Sequence, residues 1–264
     1  MTGFIGTGNM ASAMISGLVS SKTLKGEEIA VFDVNAEKAS ALAEKFGLRF
    51  FETSKELVKN CSRLVLSVKP NVLPCVLSEL KDVIKETDPL VISIAAGKSL
   101  SFLEERLFDS VRLIRVMPNI NATVGEAVSA FCGNKNATEE DLAFAEKMCK
   151  SFGSAVRLQE SMFPLFGVIG GSSPAFAYMF IDAMARAAVK NGMPKAQATE
   201  ICAQAVLGSA KMILESKEHP MELTDRVCSP GGTTIEGVLS LQKNGFESAV
   251  AAAVNAAVEK DKLL

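Results

Sequence analysis

Apolar and polar positions follow two different periods along the first part of this chain. Between residue 3 and about residue 158, short apolar runs alternate with stretches in which apolar residues recur at intervals of three and four. This alternation is typical of a doubly wound α/β sheet with parallel strands. It predicts a Rossmann-type domain over residues 1–158. The predicted strands are 3–5, 28–33, 63–68, 89–95, 111–116 and 126–132, and the predicted helices include 36–46, 71–86 and 139–150.

Beyond Glu160 the strand-like runs end, and long segments rich in Ala, Met and Leu follow. Ser173 and Pro174 form a typical helix cap and first turn. The helices predicted here are apolar on nearly every side, and a domain of roughly a hundred residues can hardly cover them by itself. Residues 159–264 are therefore predicted to form an all-helical dimerisation domain, with a tight monomeric bundle as the alternative. The predicted helices are 174–192, 198–214 and 248–258.

The string GFIGTGNMA contains the first predicted strand and continues into a glycine-rich turn. Gly6 permits a tight turn, Gly8 leaves room for a pyrophosphate beside the backbone, and the small Ala11 lets the next helix pack closely on the sheet. A phosphate would then lie against the amides at the start of that helix. The pattern also fits an ordinary strand–turn–helix, but its context favours a dinucleotide site. The predicted contacts in this string are Gly6, Thr7, Gly8, Asn9, Met10 and Ala11.

The ends of the following strands supply the other predicted cofactor contacts. Asp33 ends the second strand, where a carboxylate can accept hydrogen bonds from the adenosine ribose and would repel a 2′-phosphate. It favours NADH over NADPH, although Asn35 could bind either form and Asp33 could simply cap the strand end. Loops after later strands should lie at the same edge of the sheet. They add Val68, Lys69, Pro70, Ala95 and Ala96 to the predicted set, together with Ser54, and the loop 117–119 is of the same kind.

A second motif, SPGGTT, occupies residues 229–234. Thr233 and Glu236 match a capping box, which predicts that a helix starts at Thr233 directly after the glycine pair. Free amides at such a helix start, together with short hydroxyl side chains, suit a small carboxylate. A plain capped helix after a Pro–Gly turn is the alternative.

Seven motifs spread over the chain resemble those of the pyrroline-5-carboxylate reductase family. The resemblance runs from end to end and is far more specific than a dinucleotide motif alone. It implies a Rossmann domain that binds NADPH or NADH and reduces 1-pyrroline-5-carboxylate to L-proline, the last step of proline biosynthesis. It also implies a homodimer through the helical domain, which in this family often assembles into larger rings. The motifs are GFIGTGNMA, SVKP (67–70), IAAG (94–97), MPN (117–119), GGSSPA (170–175), GSAKMILE (208–215) and SPGGTTIEG (229–237).

The resemblance also implies the substrate contacts. In this family the segment that matches SPGGTT binds the substrate across the dimer interface. Thr234 would be the catalytic residue near the imine nitrogen, and Glu160 matches a further position on the substrate side. Asp33 departs from members that prefer NADPH, which leaves the choice of cofactor open. The implied substrate contacts are Glu160, Ser229, Gly231, Gly232, Thr233 and Thr234.

The supply of proton donors favours an imine over a carbonyl as substrate. Reduction of a carbonyl creates an alkoxide, which needs a strong acid within hydrogen-bond reach. Candidate acids are few, because His219 is the only histidine and Tyr178 lies in an apolar helix where packing is the expected role. Residues 174–181 lack the lysine that related hydroxyacid dehydrogenases place there. An iminium arrives already protonated, so it needs little help from an acid.

Composition narrows the remaining classes. A formal net charge of -2 gives no basic surface for nucleic acid. Six cysteines without CxxC spacing fit reduced thiols in the cytoplasm, and neither they nor the single histidine form a metal-binding pattern. No apolar run is expected to span a membrane. The alternatives to the reductase are a hydroxyacid-dehydrogenase-like oxidoreductase and a non-catalytic dinucleotide-binding protein.

Overall fold

The computed structural model describes residues 1–261. The chain divides into two compact units, Met1–Gly171 and a second that begins at Ser172. The first contains an α/β sheet and the second contains helices. This division falls after Gly171, whereas the sequence pattern changes near residue 159. Residues 160–171 belong to the first unit because they pack on its sheet, where Phe163 is fully buried in the core.

The sheet of the first unit has eight strands in the order β3-β2-β1-β4-β5-β6-β7-β8. All neighbouring strands are parallel except β6 and β7. Alternate residues of each strand face opposite layers, so Phe4 packs in one apolar cluster and Ile5 in the other. The strands are β1 (Thr2–Ile5), β2 (Ile29–Phe32), β3 (Arg49–Phe50), β4 (Arg63–Leu66), β5 (Leu90–Ser93), β6 (Leu113–Met117), β7 (Ala127–Gly133) and β8 (Gly153–Arg157).

Helices cover both faces of this sheet, so the predicted doubly wound architecture is confirmed. Their ends agree closely with the predicted ones, because caps mark them in the sequence. Asn35 caps α2 through its side chain and Thr138 caps α6. The helices are α1 (Asn9–Ser20), α2 (Ala36–Phe46), α3 (Ser54–Lys59), α4 (Leu73–Thr87), α5 (Leu100–Arg106), α6 (Glu139–Lys150) and α7 (Phe163–Phe166), with 3₁₀ turns at Gly26–Glu28, Ile120–Val124 and Glu160–Met162.

The expectation of parallel strands throughout is wrong at β7, which runs antiparallel to β6. Only residues 118–126 connect the two strands, and a parallel pair needs a crossover of about a dozen residues or more. β3 and β8 are two further strands that the sequence pattern does not predict. β3 is too short for an alternating pattern, and β8 begins at a glycine and contains only two apolar residues.

The second unit is helical, as predicted. The cap predicted at Ser173 is wrong, because the chain arrives there already helical through a π-helical turn, Gly167–Ser172. A proline has no N–H and clashes with the carbonyl four residues earlier, so Pro174 is compatible with a widened turn at this point. The helices are α8 (Ser173–Lys190), α9 (Lys195–Ser216), α10 (Pro220–Val227), α11 (Thr233–Lys243) and α12 (Phe246–Asp261).

The continuous helical stretch Glu160–Lys190 is 31 residues long and contains a window with a mean hydropathy of 1.3. By length and composition alone it could cross a membrane, contrary to the expectation from the sequence. Only 28% of that window is buried within the chain. Helices that are apolar all round also occur in the cores and interfaces of proteins outside membranes.

Candidate active site

The glycine-rich turn after β1 is held from both sides. The N–H of Gly6 donates to Phe32 O of β2 at 2.8 Å. The hydroxyl of Ser67, after β4, lies 2.9 Å from Ile5 O and 2.8 Å from Gly6 O. Gly6 has a φ of +97°, and a Cβ there would lie 2.9 Å from Ser67 O, so the turn requires glycine. The backbone of this turn is therefore fixed before any ligand binds.

The start of α1 is open to a ligand. Gly8 occupies the cap position without a side-chain cap, and the first turn contains no acidic residue. The first helical hydrogen bond runs from Ser12 N to Gly8 O at 2.9 Å, so the N–H groups of Asn9, Met10 and Ala11 have no acceptor within the helix. A Cβ at Gly8 would meet no atom within 4 Å. Open space beside unpaired amides fits a pyrophosphate.

A cavity of about 510 Å³ lies at this edge of the sheet. Its lining brings together most of the predicted cofactor contacts, while Gly6 and Thr7 lie in the turn beside it. Ser54 is not in the described lining. Its hydroxyl donates to Glu79 Oε1 at 2.5 Å. The predicted residues in the lining are Gly8, Asn9, Met10, Ala11, Val68, Lys69, Pro70, Ala95 and Ala96, and the lining also contains Lys38, Ser67, Ile94, Met117 and Pro118.

Asp33 directly follows β2 but is not part of the described cavity lining. Its Oδ2 accepts from the N–H of Thr7 at 2.6 Å and from the Thr7 hydroxyl at 2.9 Å, and its Oδ1 accepts from Asn35 N at 3.0 Å. Burial raises the pKa of this carboxyl, but the bonds from Asn35 and Thr7 and the charge of Lys38 lower it below its usual value. The carboxylate thus ties the glycine-rich turn to the end of β2.

The MPN loop connects the cavity wall to the π-helical turn. Met117 lines the cavity. A Cβ added at Gly167 would lie only 2.9 Å from the terminal methyl group of Met117. Asn119 is 5% exposed and donates from Nδ2 to Gly170 O at 2.9 Å. In a regular helix this carbonyl would accept from the residue four positions later, which is Pro174 and has no N–H. Asn119 therefore satisfies a carbonyl that the proline leaves open.

Glu160 is engaged within the first unit. Its Oε1 accepts from Leu100 N, in the first turn of α5, at 2.7 Å and from Arg115 Nη1 on β6 at 2.9 Å. The guanidinium of Arg115 also lies 4.6 Å from the ring centre of Phe163. Glu160 therefore anchors the segment after β8 to the sheet. Its contact with a substrate stays a prediction.

The SPGGTT segment lies in the second unit and starts with a tight turn. Gly232 N donates to Ser229 O at 3.0 Å, with Pro230 and Gly231 between them. Gly231 has a φ of +68°, so proline and glycine occupy the two central positions that a type II turn favours. A Cβ at Gly232 would lie 2.5 Å from Ser229 Oγ and 3.1 Å from Ser229 O, so the serine packs closely against this glycine.

The predicted capping box at Thr233 is not formed. Gly232 is the cap residue, with extended backbone and no side-chain cap, and α11 begins at Thr233. The type II turn brings the chain into the helix one residue earlier, so Glu236 is not in register to close the box. Thr233 and Thr234 are exposed in the single chain. Their N–H groups belong to the first helical turn and have no acceptor within it.

His219 and Cys132 are a candidate acid and a candidate thiol that lie outside the described cavity lining. His219 caps α10 by accepting from Met221 N at 3.2 Å. Burial raises the pKa of the Cys132 thiol to about 12, aided by the charge of Glu160 and opposed by Arg115. Among residues 1–261 no His, Cys, Asp and Glu side chains cluster in a way that could hold a metal ion.

Comparison with known proteins matches both parts of the chain. A family model described as "Pyrroline-5-carboxylate reductase dimerisation" matches residues 160–264, and one described as "NADP oxidoreductase coenzyme F420-dependent" matches residues 1–97. Pyrroline-5-carboxylate reductase of Escherichia coli K12 is 43% identical, and that of Methanosarcina acetivorans is 44% identical. Both alignments cover 99% of this chain and 97% of the relative.

Two solved structures agree over nearly the full length. The pyrroline-5-carboxylate reductase of Coxiella burnetii has a TM-score of 0.95 at 30% identity. The pyrroline carboxylate reductase of Plasmodium falciparum, solved with NADP bound, has a TM-score of 0.86 at 31% identity. Each comparison covers 99% of this chain and 97% of the other. The chain therefore belongs to the pyrroline-5-carboxylate reductase family.

Proposed function

We propose that this protein reduces 1-pyrroline-5-carboxylate to L-proline with NADPH or NADH, as the last step of proline biosynthesis. The observation that carries the proposal is an uncapped helix start at residues 232–234, in a chain whose other unit contains an open dinucleotide cavity. The first feature suits a small carboxylate and the second suits a diphosphate. Relatives with this name match both units over nearly their whole length.

The cavity fits a nicotinamide dinucleotide. The amides at the start of α1 and the open space at Gly8 would hold the pyrophosphate. Ala95 and Ala96 offer small surfaces beside which a flat ring can lie. When bound, the cofactor supplies a hydride from C4 of its nicotinamide. The Plasmodium falciparum relative was solved with NADP, which agrees with this assignment.

The donors in the cavity favour an imine substrate. The described lining contains two lysines but no histidine, tyrosine or carboxylic acid. Addition of a hydride to the carbon of a protonated C=N bond gives a neutral amine, so the residues need to orient the iminium rather than to protonate a product. His219, which caps α10, and Tyr178, on α8, are not in the lining. Residues 174–181 also lack the lysine that related hydroxyacid dehydrogenases place there as the acid.

The substrate carboxylate would lie against the N–H groups of Gly232, Thr233 and Thr234, with Gly231 shaping the turn and the Ser229 hydroxyl beside it. The Thr234 hydroxyl would orient the imine nitrogen. Glu160 would act by fixing the chain after β8, since its described partners are Leu100 and Arg115. A second copy of the chain is proposed to supply the SPGGTT segment, as in the family resemblance.

The second unit carries the dimerisation region of this family, and we propose a homodimer that can assemble further into a ring. Its helices expose large apolar side chains, among them Met179, which is 73% exposed, and Leu214, which is 77% exposed. A partner subunit would cover such side chains. All six cysteines are free, in agreement with a location in the cytoplasm.

Purified protein mixed with 1-pyrroline-5-carboxylate should oxidise NADPH or NADH. The loss of absorbance of the reduced cofactor measures this oxidation. The oxidation should require the imine, and a simple 2-oxo acid should not replace it. Loss of reduced cofactor with the oxo acid alone would favour the hydroxyacid dehydrogenase. Binding of the cofactor without oxidation by either substrate would show a non-catalytic dinucleotide-binding protein.

Thr234→Ala should reduce turnover about 10- to 1000-fold, because one lost donor to a reacting group typically costs that much. The KM for the cofactor should change little, since the dinucleotide cavity belongs to the other unit. Steady-state kinetics with each substrate varied in turn will separate the two effects. Ser240→Ala removes an exposed hydroxyl from the same helix and serves as the control. Wild-type turnover in Thr234→Ala would remove this residue from the mechanism.

A further inference from the structure

Asp33 does not act in the structure as a free ribose acceptor. Three hydrogen bonds, two from Thr7 and one from Asn35, engage its two oxygens. They direct both oxygens to donors in two turns, and the residue is outside the described cavity lining. The carboxylate keeps its negative charge, because these bonds and the charge of Lys38 hold its pKa below the usual value. Its effect on a 2′-phosphate therefore depends on how far that neighbouring lysine offsets it.

Lys38 occupies the side of the cavity where the sequence argument placed an acid. It lies in the first turn of α2, directly after β2, and lines the cavity. Its side chain is exposed, and within residues 1–261 its ammonium forms neither an ion pair within 4 Å nor a hydrogen bond. Its charge lowers the pKa of Asp33, but no ion pair within 4 Å ties it there, so this lysine on the cavity wall is available to a phosphate.

The sheet order separates the two lysines of the cavity. β2 lies on one side of β1 and β4 on the other. Lys38 follows β2, and Lys69 follows β4. In doubly wound sheets the residues after the second strand read the adenosine ribose, and a cation there accommodates a 2′-phosphate. Lys38 is therefore the lysine on the ribose side, and no carboxylate of the described lining opposes it.

We propose that Lys38 binds the 2′-phosphate of the adenosine ribose and makes this chain prefer NADPH to NADH. The inference rests on the proposed dinucleotide-dependent reaction and names the residue that selects between its two cofactors. Asp33 contributes indirectly, because its bonds to Thr7 and Asn35 hold the turns on either side of the ribose position. The preference thus depends on a lysine in the first turn of α2, while Asp33, directly after β2, bonds to the backbone of the neighbouring turns.

Calorimetric titration with adenosine 2′,5′-bisphosphate and with adenosine 5′-monophosphate (AMP) tests this without any turnover. These ligands differ in whether they carry a phosphate on the ribose 2′ oxygen. The wild-type chain should bind the 2′-phosphorylated ligand more tightly. Lys38→Gln should weaken the binding of that ligand about tenfold, the value of one charge-assisted hydrogen bond, and change the binding of AMP by less than about twofold. Higher salt should reduce the difference between the ligands, because the lysine is exposed.

Three variants serve as comparisons. Lys45→Gln removes an exposed cation from the last turn of the same helix, outside the cavity lining, and should bind both ligands like the wild type. Lys38→Arg should keep the preference. Asp33→Asn should weaken both ligands together, because it loosens the shared turn.

Equal affinity of the wild type for both ligands, or equal weakening of both by Lys38→Gln, would overturn the proposal. A selective gain for the 2′-phosphorylated ligand in Asp33→Asn would do so as well, since the carboxylate would then oppose the phosphate. Failure of the reductase proposal is recognised separately. A chain that prefers the 2′-phosphorylated ligand but does not oxidise NADPH with the imine keeps the Lys38 inference and loses the reaction.

Discussion

Gly8→Val should weaken the binding of NADPH and NADH about 100-fold or more and leave the fold intact. The backbone of Gly8 has a φ of −64° and a ψ of 178°, which any residue adopts. A Cβ there meets no protein atom within 4 Å. The folded chain therefore tolerates the side chain, at a cost of about 1 kcal/mol for a poor cap residue. The same space is needed for a pyrophosphate to reach the amides of α1, and two or three charge-assisted hydrogen bonds depend on it.

Titration calorimetry and thermal unfolding of the same preparation will separate binding from stability. Gly8→Ala places a smaller group in the same space and should give an intermediate loss. Thr234→Ala should keep normal cofactor binding, because it alters only the proposed substrate segment. Binding of NADPH by Gly8→Val within a few-fold of wild type would show that the dinucleotide lies elsewhere.

The fold of the first unit was largely predictable because its signals are local. Apolar runs marked the strands, and caps such as Asn35 and Thr138 marked helix starts. The direction of β7 was not predictable from its own residues, since it depends on the length of the connection from β6. β8 was not predicted, because its own sequence contains few apolar residues and its strand structure depends on pairing with β7.

The loops around the cavity were predictable in position, but the orientation of their side chains was not. Glycine spacing located the turn after β1, and strand ends located the loops around the cavity. The orientation of the Asp33 carboxylate depends on which hydrogen-bond donors are near it. The N–H and the hydroxyl of Thr7 are two such donors, and both bond to its Oδ2. Lys38 was not predicted as a cavity residue. It lies in the polar first turn of α2, where a lysine is ordinarily an exposed surface residue. Only the structure shows that this face of α2 borders the cavity.

The SPGGTT segment shows the same limit on a smaller scale. Thr233 and Glu236 have the spacing of a capping box, and that spacing is a genuine signal. The preceding Pro230–Gly231 pair favours a type II turn, which makes Gly232 the cap residue instead. The capping box and the type II turn require different cap residues, and the structure adopts the turn. The consequence for the proposed function is favourable, because a glycine cap leaves the first amides of α11 open to a carboxylate.

Gly153→Ala should cost about 4 kcal/mol or more in the free energy of unfolding, through a clash between backbones that have no room to move. Gly153 begins β8 with a φ of +153°, and a Cβ there would lie 2.1 Å from the carbonyl oxygen of Ala127 on β7. Ala127 is 3% exposed and donates to the carbonyl of Phe152, which is itself fully buried. The added methyl must therefore break the start of the β7–β8 pairing.

Gly47→Ala is the matched control, because Gly47 also has a positive φ, of +66°, but a Cβ there meets no atom within 4 Å. It should lose only the conformational term, about 1 kcal/mol. Urea unfolding of both variants measures the difference, and failure of Gly153→Ala to fold agrees with it. Because β8 leads to Glu160 and its bonds to Arg115 and Leu100, any folded Gly153→Ala protein should also lose turnover. Equal stability of the two variants would contradict the close approach of β8 to β7 at Ala127.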